Sequence, residues 1–143
     1  MKNILIIALL FSTTLYAQSG DRIKAFKTAH ITTALNLTSS EAEKFWPVYN
    51  AYEEETAALR KKERQEIFQI VKGDMDGVTD AQANTLIEKA LQMKATEVQM
   101  HREFVTALRD VLPARKILKL HRAEEEFKKI LLERMKNRRN RRN

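Results

Sequence analysis

No cysteine occurs anywhere in this sequence, so neither a disulfide framework nor thiol chemistry is open to it. Glycine and proline are almost as scarce, with 3 and 2 in 143 residues. A β protein needs frequent turns, and the punctuation for them is missing. No run alternates apolar and polar residues for long enough to form a strand. No glycine-rich loop could cradle a phosphate, and no serine or threonine stands in a nucleophile motif. The 3 histidines, His30, His101 and His121, are never paired at helical ligand spacing. Glu97 and His101 could share a helix face near Met93 and Met100, but a metal needs three or four converging ligands. The methionines read more simply as core filler or an adaptable contact surface. Asp74-Met75-Asp76-Gly77 resembles a calcium loop only at first. Aligned on Gly77, it puts Lys72 at the first ligand position and Ala83 where the glutamate belongs. No catalytic site, cofactor or metal is expected.

What is present is helical patterning. Thr38 with Glu41 three residues on makes a capping box, with Leu37 just before it as a staple. Phe45, Tyr49, Tyr52, Leu59, Ile67 and Val71 then recur at the period of one helix face. The spacing predicts four helices. A short first helix runs from Asp21 to about Leu35, with Ile23, Phe26, Ala29, His30 and Ala34 on or near one face. A long second helix covers about Ser39 to Lys72, and Gly73 to Gly77 form a turn. Thr79 with Gln82 caps a third helix whose face is Leu86, Ala90, Met93, Glu97, Met100, Phe104, Leu108 and Val111. Leu112-Pro113 breaks it, and Pro113 suits the first turn of a fourth helix carrying Ile117, Leu120, Phe127, Leu131 and Met135. At about 30 residues, or roughly 45–50 Å, each long helix is far from self-sufficient. The expected fold is all-α: an elongated antiparallel hairpin with a short N-terminal helix and a C-terminal helix packed on it.

Residues 1–17 read as a secretory signal peptide. Lys2 is the positive end, Ile4 to Phe11 the apolar run, and Ala17 the small residue at the cleavage point. About eight apolar residues fall well short of the roughly 20 a membrane span needs. Without cysteine this is no lipoprotein leader. Export without an anchor points to the periplasm of a Gram-negative cell. The rest, residues 18–143, is long enough for one domain with a real core but not two, and that domain is expected over residues 18–136.

Charge is unevenly placed. The chain has 26 Lys+Arg against 19 Asp+Glu, a net of +7. Lys2 aside, the excess sits in Arg134, Lys136, Arg138, Arg139, Arg141 and Arg142. Residues 137–143 are expected to be a basic disordered tail, with Arg138, Arg139, Arg141 and Arg142 available to anionic partners such as lipid headgroups. Nucleic acid is not expected in that compartment.

The run Phe45-Trp46-Pro47-Val48-Tyr49, with Tyr52, is denser in aromatics than one helix face requires. Trp46 points about 100° away from Phe45, Tyr49 and Tyr52. Either Trp46 packs against the first or fourth helix, or Phe45, Trp46, Tyr49 and Tyr52 form an apolar surface that meets a protein partner.

These residues bring a family into view. Leu35-Asn36-Leu37-Thr38-Ser39-Ser40-Glu41 resembles the Leu-Thr-x-x-Gln signature of the Spy/CpxP family, with Glu41 in the glutamine position. Val111-Leu112-Pro113-Ala114-Arg115-Lys116, leading to Phe127, looks like the second copy, with Pro113 in place of threonine and Lys116 in place of glutamine. The Phe45 to Asn50 run and the Leu112 to Lys116 junction are similar to a Bacteroidetes-type group labelled sensors of ECF-type sigma factors. The resemblance implies a periplasmic, all-α, often dimeric cradle that acts as an ATP-independent chaperone, a modulator of membrane sensors, or a zinc-responsive protein. The His-rich and Met-rich ends of the metal-linked members are absent. Because the two motifs brace the hairpin in that family, Leu37, Thr38, Glu41, Leu112 and Pro113 are expected to be structural. The expected role is in the envelope stress response, binding partially unfolded or membrane-associated envelope proteins. The alternatives are a dedicated regulator whose one partner is an anti-sigma or sensor domain, and an envelope-surface protein held by its basic tail.

Overall fold

The computed structural model describes residues 20–73 and 75–141. The expected signal peptide, Asp74 and Arg142 lie outside them. The fold is all-α, 90% helical in 4 helices, with no strand among the described residues. Helix α1 covers residues 20–35. Helix α2 runs Ser39–Glu63, continues through a π-turn at Arg64–Phe68 and closes with Gln69–Val71. A 3₁₀ turn at Met75–Gly77 leads to α3, Asp80–Arg109, and α4 is Ala114–Asn140. The described residues divide into two compact units, one of Ser39–Ile117 and one of residues 20–38 with residues 118–141.

The first of these units is an antiparallel hairpin of α2 and α3. Its register shows in a descending series of pairs: Tyr49 meets Phe104, Tyr52 meets His101 and Phe104, and Glu66 meets Lys89. Phe45, Tyr49, Met93, Phe104, Leu108 and Leu112 are buried. Every expected inward position of α3, from Leu86 to Leu108, is buried or half-buried, as is Val111 just past its end. Tyr52 and Phe104 stack at 4.1 Å between ring centroids and 4° between planes. Thr56 is buried among them, and its hydroxyl donates to the Tyr52 carbonyl at 2.7 Å. That back-bond lets a polar side chain sit in an apolar seam without an unpaired donor.

Helix α3 starts on the predicted capping box. The Gln82 N–H donates to the Thr79 hydroxyl, and the Thr79 N–H donates to the Gln82 side chain at 2.9 Å. At the other junction, the Pro113 carbonyl accepts from the amides of Lys116 and Ile117. Pro113 therefore stands at the cap of α4, just outside the first turn predicted for it, where its missing N–H leaves nothing unsatisfied.

In the second unit α1 and α4 also run antiparallel. Phe26 packs on Phe127 at 5.3 Å, and His30 Nε2 donates to the Ala123 carbonyl at 3.1 Å. The Arg134 guanidinium lies 4.0 Å above the Phe26 ring. Ile31, Leu35, Leu120, Ala123 and Phe127 are buried. Helix α1 ends on Asn36, whose φ of 47° is the only positive one among the described non-glycine residues. The Leu37 N–H donates to Thr32 O and the Asn36 N–H to Thr33 O. This six-to-one, five-to-two pattern is a Schellman cap, with asparagine in the left-handed position.

Helix α4 corrects one expectation. Residues 137–140 continue it rather than forming a disordered tail. Lysine and arginine are good helix formers, and basic side chains in a last turn offset the negative end of the helix dipole.

Candidate protein-binding surface

The aromatic run proposed as a surface divides in the structure. Phe45 is 0% exposed and Tyr49 1%, so neither can meet a partner, and that part of the expectation is corrected. Their rings stack on each other at 5.3 Å. Trp46 is half-buried and edges onto both, 4.9 Å from Phe45 and 5.5 Å from Tyr49. Tyr52, also half-buried, is covered on one ring face by Phe104 and holds His101 Nδ1 at 3.2 Å with its hydroxyl. The extra aromatics seal one end of the hairpin seam.

The motif-like segments converge. Glu41 Oε2 accepts from Lys116 Nζ at 2.6 Å, with both side chains about four-fifths shielded, at 19% and 21% exposed. Leu112 is buried beside this junction in sequence, Leu37 is half-buried, and Thr38 and Pro113 are exposed. Arg138 and Arg139 lie exposed on α4, and Arg141 is exposed just past its end.

The apolar residues that face water lie elsewhere on the hairpin. Phe68, Ile70, Val71 and Met75 at its turn, and Ile87 and Leu91 on the facing helix, are each 43–59% exposed. Val98 continues the α3 stripe seven residues beyond Leu91, two turns along the same face. Val71 had been expected to face inward with Tyr49 and Leu59. Val71 lies beyond the Glu66–Lys89 pair, towards the turn end of the seam, and ahead of it the helix holds a π-turn in which the Gln69 N–H reaches the Arg64 carbonyl five residues back. One extra residue in that turn sets every later side chain back by about one step.

Two open grooves flank this end. One, of about 430 Å³, is lined by Ile70, Val78 and Leu86 with Gln82 and Thr85. The other, of about 700 Å³, sets Ile67, Phe68 and Val71 beside Arg60, Arg64 and Lys72, with Glu63 and Gln69 completing its lining. The Lys72 ammonium sits 5.5 Å from the Phe68 ring centroid. An exposed apolar patch with basic neighbours can receive apolar side chains and steer acidic ones. The sequence carried a signal for it: Ile67, Phe68, Ile70 and Val71 span more of the helix circumference than one packed face can bury.

Ordinary surface chemistry accounts for the ionisable groups whose titration is displaced. The Lys94 ammonium donates to Glu97 at 2.7 Å, which lowers the Glu97 pKa and raises that of Lys94. Arg122 does the same for Glu126, whose pKa is lowered by their hydrogen bond. Among the described residues no three His, Cys, Asp or Glu side chains converge on a point where a metal could sit. No described helix is long and apolar enough to cross a membrane. No protein-family profile, curated protein or solved structure matches the chain.

Proposed function

We propose that this protein is an exported, Spy/CpxP-like binding protein of the periplasm, acting in the envelope stress response as an ATP-independent chaperone or stress modulator. The observation that carries the reading is the water-facing apolar end of the hairpin, Phe68, Ile70, Val71 and Met75 with Ile87 and Leu91 on α3, where Phe68 and Val71 share a groove with Arg60, Arg64 and Lys72. A partly unfolded chain exposes apolar segments without fixed geometry. A surface of flexible aliphatic and basic side chains binds such segments loosely and in many registers. The family reading is supported by the Glu41–Lys116 bond, which joins the last positions of the two motif-like segments.

The test is light scattering from a thermally unfolding client in the presence of the purified protein, without ATP. Suppression at near-equimolar ratio is expected, and Phe68→Ser with Val71→Ser should abolish it while leaving helicity intact. No suppression from a folded wild-type sample would overturn the chaperone reading. A regulator with a single anti-sigma or sensor-domain partner would then take its place.

A further inference from the structure

The α1–α4 unit carries a second feature that the hairpin does not explain. A groove of about 190 Å³ lies between the two helices, and Arg22, Arg134 and Arg138 stand around it with no carboxylate among the described residues of its lining. Its apolar floor is Ile23, Phe26, Leu131 and Met135. Ile23 and Met135 remain 43% and 60% exposed. Arg134 and Arg138 are one helical turn apart on α4, and Arg134 is fixed in place by its stack on Phe26 at 4.0 Å. A guanidinium placed over a ring face keeps N–H donors available to an oxygen anion such as phosphate.

We infer that this groove binds an anionic phospholipid, its phosphate held among Arg22, Arg134 and Arg138 and the start of an acyl chain laid over Ile23, Phe26 and Met135. Charge and shape both favour that occupant. Three cations gathered with no acid among the described lining residues call for an anion. Free phosphate would leave the apolar floor wet. A peptide strand would find no sheet edge to pair with, because both walls are helices whose backbone groups bond internally. The site lies largely outside residues 137–143, so it differs from a diffuse hold by a basic tail.

Sedimentation with phosphatidylcholine vesicles, with and without phosphatidylglycerol, tests the assignment. The protein is purified from an exporting host, so that wild type and variants share one N-terminus. Binding should require phosphatidylglycerol. Arg22→Gln with Arg138→Gln, which leaves the Arg134–Phe26 stack alone, should weaken it by about thirtyfold, two surface increments. Lys136→Gln with Arg139→Gln removes the same charge from the side of α4 turned roughly 120–180° from Phe127. It should weaken binding by less than about threefold, since charges a helix diameter away are screened. Ile23→Ser with Met135→Ser should also weaken binding at unchanged charge. Circular dichroism confirms that each variant is folded. Equal losses from the two charge variants, or displacement by inorganic phosphate at the same phosphate concentration, would overturn the proposal. So would binding that ignores phosphatidylglycerol.

Discussion

Glu41 and Lys116 are joined at 2.6 Å across a separation of 75 residues. Each occupies the last position of a short motif-like segment, one opening α2 and the other in the first turn of α4. A glutamate and a lysine in those two places form a charge-assisted bond where two glutamines would form a neutral one. The pair is shielded enough to resist salt and wet enough to avoid the full cost of burial.

Breaking that bond should cost stability. Lys116→Ala or Glu41→Ala is expected to lower unfolding free energy by about 1–3 kcal/mol in urea titrations. The double variant should cost less than the sum, with a coupling of about 1 kcal/mol. The exchanged pair Glu41→Lys with Lys116→Glu should recover part of the loss. Additive single effects would mean that the bond contributes nothing.

The two aromatic populations should respond oppositely. Phe45→Ala empties a fully buried site and is expected to destabilise by about 3–5 kcal/mol. Phe68→Ala removes an exposed ring and should stay within about 0.5 kcal/mol of wild type. If the hairpin end is the binding surface, only the second variant loses client binding while still folded.

Asn36 gives a backbone test. Asn36→Gly should be neutral or slightly stabilising, because glycine enters the left-handed region without a Cβ clash. Asn36→Val should cost about 1–2 kcal/mol, measured by thermal or urea unfolding. Equal stabilities would contradict the left-handed cap.

Acid should weaken surface pairs that are intact at neutral pH. The Lys94 hydrogen bond lowers the Glu97 pKa below its ordinary value. The carboxylate's contribution is therefore full above the unfolded-state pKa, about 4.3, and is lost as pH falls through the lower folded-state value. An NMR titration of the Glu97 side chain should show a midpoint below 4.3, moved upward by Lys94→Ala. An unmoved midpoint would mean that the pair is not populated in solution.

Much of the architecture was legible in spacing. The Thr79–Gln82 box, the eight inward positions of α3 and the break at Leu112-Pro113 follow from local chemistry, which acts within a turn or two of helix. The side chains misread were those whose fate depends on distant partners. Phe45 and Tyr49 look like a surplus of aromatics until Phe104 is seen across the seam. Val71 keeps the helical period but lies beyond the Glu66–Lys89 pair, at the turn end of the seam, where it stays exposed. Arg138 and Arg139 read as tail because charge density suggests disorder, whereas lysine and arginine extend a helix readily once one is under way.

The π-turn at Arg64–Phe68 gives the hairpin end a setting that depends on counting rather than composition. Deleting one residue there, Gln65 for example, would return α2 to a uniform winding and turn everything beyond it by about 100°. The hydrophobicity of the segment would hardly change, yet the side chains offered to water would be a different set. A single-codon deletion could thus silence or redirect this surface while leaving the aromatic seam at the other end of the hairpin as it is.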